Sequence, residues 1–310
     1  PVIFQANRTA HPMPLNYDIL RNWQFEDLRQ DYQAKDTILY ALGVGLGQPA
    51  NDPDQLRFVY EANLQAMPTM AGVLGYRGFW LDDPRTGVDW KKALGGGVSI
   101  QLFKPLPANA RIVSRQRVGR ILDLGAGKGA ILFNERDIAE EATGQVLATV
   151  EWTNFLRGDG GFGGPSGPRP EPHPIPSRAP DVEVSLPVAE QAALIFRLSG
   201  DHNPLHVDPA ISAAAGFYKP VLHGQSTLGL ACHAVLRGTT GYRPELLRSI
   251  SVRFTSPVFP GDIVLTELWT DGPVVSFRCR VPKRGAIVVD NGRAELGEAG
   301  AGASLFASLP

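Results

Sequence analysis

Cysteine is nearly missing from this chain of 310 residues. The two present, Cys232 and Cys279, exclude a disulfide framework and a cysteine-built metal cluster. Both lie in apolar runs and read as buried thiols. Neither sign of charge dominates, the formal net charge being −1. Without a broad basic field to neutralise phosphates, a nucleic-acid partner is not expected. No apolar run is long enough to span a membrane, so no membrane association is expected either. The opening "PVIFQANRTAHPMP" lacks the basic-then-apolar order of a signal peptide, and the closing "SLP" is not a peroxisomal address. A reducing, cytoplasmic compartment is the resulting expectation. What remains is a globular composition, 43% hydrophobic and 20% charged, long enough for two ordinary domains.

Proline and glycine are concentrated in one place. Residues 158–180 read "GDGGFGGPSGPRPEPHPIPSRAP", over half Gly and Pro. Such a segment cannot hold a helix or an interior strand. It divides the chain near its middle into residues 1–165, a linker at 166–180, and residues 181–310. The two parts repeat one another. "DTILYALGVGLGQPANDP" lies over "AALIFRLSGDHNPLHVDP" without a gap, placing Leu42 on Leu198 and Asp52 on Asp208. "MPTMAGVLG" then matches "KPVLHGQST" at its Pro and Gly, setting Gly72 on Gly224. "SIQLFKPLP" matches "SVRFTSPVF" and sets Ser99 on Ser251. Three collinear blocks, with one four-residue gap, indicate an internal duplication.

Each copy reads alike. An apolar-periodic helix (34–42; 189–198) comes first, then a Pro/Asp-rich loop, then a second apolar helix after Pro68 or Pro220. Strand-like runs joined by short turns follow and imply antiparallel pairing. Helices ahead of strands make the class α+β. The expected architecture is a long helix wrapped by an antiparallel sheet, made twice.

The duplication also separates chemistry from scaffold. Opposite Asp201 the first copy carries Gly45, and opposite His206 it carries Ala50. The frame is kept while the polar pair is lost, which predicts one active site per chain. Asn203-Pro204 breaks the preceding helix, so Asp201 and His206 flank a turn and can converge on one point. A carboxylate and an imidazole about a water apart suit acid/base work. No Ser or Cys sits in a nucleophile elbow, which favours proton transfer and water addition over acyl-enzyme chemistry. Read locally, "DHNP" is also simply a good turn. Gly224 opens an apolar helix whose free N–H groups suit a developing oxyanion. His223 beside it reads as a capping or packing residue.

These residues resemble the MaoC-like (R)-specific enoyl-CoA hydratases in their double hot-dog form, as in the hydratase part of peroxisomal multifunctional enzymes. "LSGDHNPLHVDP", "AGFYKPVLHGQSTLG" and "SVRFTSPVFPGD" carry the resemblance in the second half, and "ILYALGVG", "LPANARIV" and "GDGGFGG" in the first. The resemblance implies a catalytic dyad of Asp201 and His206 with Asn203 beside them. It implies a Gly224 N–H on the thioester oxygen, and an acyl or pantetheine path along Phe254, Phe162 and Gly163. Gly95 and Gly96 are substrate positions where the family usually has His-Gly. His202 replaces an aromatic residue, and Leu124 stands where a Lys is expected, with Lys128 nearby. The implied reaction is reversible hydration of a trans-2-enoyl-CoA in fatty-acid β-oxidation, with no cofactor and no metal. A homodimer is implied, with the first half non-catalytic and accommodating the substrate. The alternative is a non-catalytic thioester-binding partner subunit of a dehydratase complex.

One motif competes. "LDLGAGKGA" (122–130) resembles the nucleotide loop of S-adenosylmethionine methyltransferases, which needs a following helix. "AILFNERDI" follows instead and reads as a strand, so the glycines are expected to form a hairpin turn.

Overall fold

The computed structural model describes residues 15–298. The N-terminal and C-terminal stretches read above for targeting lie outside the described residues. Among the described residues there are ten strands: β1 (Leu28–Tyr32), β2 (Ala93–Leu102), β3 (Ala110–Asp123), β4 (Ala130–Glu140), β5 (Val146–Leu156), β6 (Val182–Pro187), β7 (Leu247–Phe254), β8 (Ile263–Asp271), β9 (Val274–Val281) and β10 (Ala286–Leu296). Six α-helices accompany them: α1 (Tyr17–Arg21), α2 (Ala34–Gly43), α3 (Pro53–Val59), α4 (Ala192–Phe196), α5 (Pro209–Ala214) and α6 (Gly224–Val235).

All strands join one antiparallel sheet in the order β1-β3-β4-β5-β2-β7-β10-β9-β8-β6. This order reads the same from both ends if β2 is exchanged with β7, β5 with β10, β4 with β9, β3 with β8 and β1 with β6. The sheet is therefore two five-stranded copies joined edge to edge through β2 and β7. The junction carries its own check. Across a two-fold axis, residues equivalent in the repeat must face each other, and Ser99 pairs with Ser251 there, flanked by Val98–Val252 and Ile100–Ile250. Edges that would otherwise invite foreign strands are consumed inside the chain.

The copies differ in one decisive element. Helix α6 is an uninterrupted helix of twelve residues, eleven of them buried. In the first copy the expected long helix is absent, and Pro68–Gly72 makes only a 3₁₀ turn. The reason is local. Gly75 and Gly78 follow with positive φ, whereas "GQSTLGLACHAV" has no such break. Helix α6 packs on the second copy's strands and reaches across to the first copy's Pro68–Gly72 turn and the end of α2. Ser226 Oγ donates to the Gly43 carbonyl at 2.9 Å, and a Cβ on Gly229 would lie 2.3 Å from Val44 Cγ1. The helix expected over 189–198 is also shorter, running Ala192–Phe196 and tightening into a 3₁₀ turn at Arg197–Ser199.

The glycine-rich "LGAGKG" is the turn between β3 and β4, with Asp123 paired to Ala130. Residues 157–181 hold neither helix nor strand. The apolar interior forms two clusters: a large one around α6, and a smaller one of Leu15, Leu20, Leu81, Val88, Ile121, Ala130, Leu132 and Leu156. Among the described residues, no helix is long and apolar enough to cross a membrane.

Candidate active site

The turn "GDHNPLH" is built by its own side chains. Gly200 takes a positive φ and ends the preceding 3₁₀ turn. Asn203 caps the next one, its Oδ1 accepting from Leu205 N at 3.0 Å. Asp201 Oδ1 accepts from Asn203 N at 3.2 Å. The turn therefore carries Asp201 and His206 to one side, and both line a cavity of about 610 Å³. His202 is exposed and is not among the lining residues.

His206 is fixed by one bond. Its Nδ1 lies 2.9 Å from the Val221 carbonyl, which can only accept. Nδ1 therefore carries the proton and Nε2 keeps its lone pair. Burial lowers the His206 pKa below its ordinary value, opposed by the Val221 bond and by the Asp201 charge. The imidazole is thus neutral at pH 7 and available as a base. Behind it, His223 is fully buried and stacked on His206, with ring centroids 3.8 Å apart. Its Nε2 lies 3.2 Å from the Asp201 carbonyl, and burial pushes its pKa down to about 3. His223 is a packing residue, as expected, and it orients the dyad from both sides. Asp201, His206 and His223 offer side-chain ligand atoms within 4.8 Å of one another. They would be the donors if a metal ion entered here.

Gly224 is the first residue of α6, so its N–H and those of Gln225 and Ser226 precede the first intrahelical bond, from Thr227 N to the His223 carbonyl. A Cβ there would meet the Phe254 ring at 3.4 Å, and both residues line the cavity. A side chain at 224 would thus occupy space next to the helix N-terminus. In the first copy the equivalent space is already filled. A Cβ on Gly72 would meet Gln225 Oε1 at 2.4 Å, and the Gly72 carbonyl accepts from Gln225 Nε2 and Arg136 Nη2. The first copy thus lacks both the polar pair and an open helix start.

The remaining expected positions divide. Asn203, Gly95 and Phe254 line the cavity; Gly96 does not. A Cβ on Gly96 would instead approach the Thr153 carbonyl, at 3.4 Å. Phe162 and Gly163 do not line the cavity either. Phe162 stacks on Tyr17 at 5.6 Å in the smaller apolar cluster. The Gly163 N–H donates to Asp123 Oδ2 at 2.8 Å, while Asp123 Oδ1 accepts from Gly125 and Gly161. One carboxylate folds the glycine-rich loop onto the β3–β4 turn and away from the cavity.

Beyond Gly95, sequence reasoning missed the polar side chains that the first half brings to the cavity. Tyr76, Gln116, Asn134, Arg136, Trp152 and Asn154 all line the cavity. Burial, and next the charge of Asp201, push the Tyr76 phenol up to about 12. Burial pushes the Arg136 guanidinium down to about 10, which leaves it charged at neutral pH. A signal was present: "FNERD" and "VEWTN" put polar residues on the strand face whose neighbours are apolar.

Two families match the two halves in turn. Residues 30–158 match the MFE-2 hydratase 2 N-terminal domain, and residues 173–290 match the MaoC like domain. The peroxisomal enoyl-CoA hydratase 2 of Arabidopsis thaliana is 37% identical over 290 residues, covering 88% of this chain and 93% of that protein. The crystal structure of a MaoC-like dehydratase from Phytophthora capsici superposes with a TM-score of 0.80 at 29% identity, over 92% of this chain and 99% of that one. A double hot-dog protein from Mycobacterium tuberculosis gives a TM-score of 0.52 at 13% identity, over 88% and 96%, and shares the fold alone. A symmetric ten-stranded sheet, one long helix and a lone Asp/His turn are thus joined by matches along both halves, and the chain belongs to the MaoC-like hydratase family in its double hot-dog form.

Proposed function

We propose that this chain is a hydro-lyase that adds water to a trans-2-enoyl-CoA to give the (3R)-3-hydroxyacyl-CoA, and runs the reverse dehydration. The observation that carries the reading is the convergence of Asp201, His206 and the Gly224 start of α6 on one cavity. The thioester oxygen sits against the Gly224 N–H, where the helix dipole favours developing negative charge. His206 Nε2 and Asp201 hold one water. As His206 takes its proton, the hydroxyl oxygen bonds to C3. The C2=C3 electron pair moves toward the carbonyl oxygen and is held by the helix N-terminus. The proton then returns from the dyad to C2 on the same face. Water is the only co-reactant, so the step as drawn balances without metal, nucleotide or redox cofactor. The division of labour follows from the repeat: residues 181–310 supply the chemistry, and residues 1–165 shape the substrate cavity. Asn203 holds the dyad turn, and Gly95 and Phe254 wall the acyl path.

The intact dyad favours an enzyme over a non-catalytic thioester-binding partner. Loss of enoyl-thioester absorbance with crotonyl- and decenoyl-CoA tests this directly. Turnover supports the hydratase, while binding without turnover would establish the partner subunit. The family further implies a homodimer, for which sedimentation equilibrium is the measurement.

A further inference from the structure

The buried face of β4 runs Ala130, Leu132, Asn134, Arg136, Ile138. Its ends are apolar and belong to the two separate clusters, Leu132 to the smaller and Ile138 to the larger. Between them lies a polar belt. Asn134 is paired in the sheet with Trp152, Arg136 with Gln116, and Leu132 with Asn154. Gln116, Asn134, Arg136, Trp152 and Asn154 all line the cavity, as does Gln225 of α6. The second copy is an internal control. The strand related to β4 is β9, whose inward residues Val275, Phe277, Cys279 and Val281 are all in the apolar core. The face is apolar where α6 covers it and polar where the first copy lacks its helix.

The protein satisfies the belt only in part: Asn134 Nδ2 donates to Asn154 Oδ1 at 3.0 Å and Gln225 Nε2 to the Gly72 carbonyl at 3.1 Å. Asn134 Oδ1, Gln225 Oε1, Arg136 Nε and Trp152 Nε1 are buried without a hydrogen-bond partner. Asn134 is 8% exposed, Gln225 6% and Arg136 3%. Arg136 donates hydrogen bonds only to the backbone carbonyls of Gly72, at 2.6 Å, and Ala71, at 3.4 Å, with its guanidinium 5.9 Å from the Tyr76 ring centre. A plain alkyl chain laid here would leave all four buried polar groups without a partner. The unmet groups are two acceptors and two donors. A hydroxyl can donate to an amide oxygen and accept from an N–H at once. A carboxylate would meet the donors but face both amide oxygens unfavourably.

We propose that the preferred substrates are enoyl thioesters whose acyl chain carries a hydroxyl group remote from the thioester, held by Asn134, Arg136, Trp152 and Gln225. This rests on the hydratase reading above and adds the substrate class. The test compares kcat/KM of the wild-type chain on trans-2-decenoyl-CoA, on the same chain hydroxylated at successive carbons from C5 to C10, and on its terminal carboxylate. At least one hydroxylated member should exceed the plain chain by about tenfold or more, because a site built to bond a hydroxyl discriminates against its absence. Asn134→Leu should reverse that ratio, and Trp152→Phe, which removes only the indole N–H, should reduce it. A wild type that favours the plain chain over every hydroxylated member overturns the inference, as does a preference for the carboxylate. If no thioester is hydrated, the hydratase reading fails separately. Calorimetric affinities for saturated hydroxylated and plain acyl-CoA then still decide the inference, with equal affinities overturning it.

Discussion

Lowering the pH from 7.5 to 5.0 should cost the fold about 4 kcal/mol through two buried histidines, with a further contribution from a third. Burial pushes His223 down to about 3 and His233 down to about 4, from an ordinary 6.5. His233 sits in the core with its Nε2 2.9 Å from the Tyr242 hydroxyl. The unfolded chain takes up protons at these rings near pH 6.5, and the folded chain does not until far lower. In that window the unfolded state binds more protons, so stability falls as pH falls. One pH unit is worth about 1.36 kcal/mol per group, so 1.5 units below 6.5 give about 2 kcal/mol for each histidine. His206 is lowered too and adds in the same direction. Nearer the carboxylate range groups of both signs enter: burial lifts Glu151 and Asp159, while bonds from Gln55 and Arg178 hold Asp52 and Asp181 low, which sets the lower limit of the window. The loss is large beside a typical stability of about 5–15 kcal/mol. Urea unfolding followed by circular dichroism at pH 7.5, 6.5, 5.5 and 5.0 measures it. Stability should be level above pH 7 and fall below 6.5, and His233→Phe should roughly halve the fall. A flat profile, or a His233→Phe profile parallel to wild type, would refute the assignment of these rings as buried and neutral.

Three further outcomes follow from the same contacts. Asp201→Ala and His206→Ala should each lower kcat/KM by about 10²–10⁴ with the fold retained by circular dichroism, while His202→Trp, at an exposed site outside the cavity, should stay within roughly tenfold. A dead His202→Trp would mean the wrong histidine has been assigned. Gly229→Ala should destabilise by about 1–2 kcal/mol in urea, because overpacking against Val44 and Tyr40 outweighs the gain in helix propensity; a stabilised variant would contradict the helix packing. Residues 181–310 expressed alone should be insoluble or inactive, since they lose the β2 partner of β7 and the first-half cover of α6; a soluble, fully active fragment would show that the intramolecular pairing is dispensable.

What could be read from the sequence was whatever the duplication doubled. The collinear blocks set Ser99 on Ser251, and those two residues face each other at the centre of the sheet. The loss of Asp201 and His206 from the first copy singled them out from a turn that composition alone explained. The strand after "LGAGKG" was legible because β-branched and aromatic residues follow the glycines where a helix was needed. What failed was symmetry taken too far. The first copy's helix was inferred from its partner, although Gly75 and Gly78 end it at Gly72. The polar belt went unread because Asn134, Arg136, Trp152 and Asn154 look like surface residues until β3, β4 and β5 put them on one inward face.

The central claim is that one Asp/His dyad and one helix start add water to a single face of a trans-2-enoyl thioester. Chiral analysis of the 3-hydroxyacyl-CoA formed from crotonyl-CoA by wild type and by His206→Ala tests it most directly. The account predicts a (3R) product from wild type and its loss by about two or more orders of magnitude in the variant. A predominantly (3S) product, or (3R) product formed at an undiminished rate without His206, would contradict it.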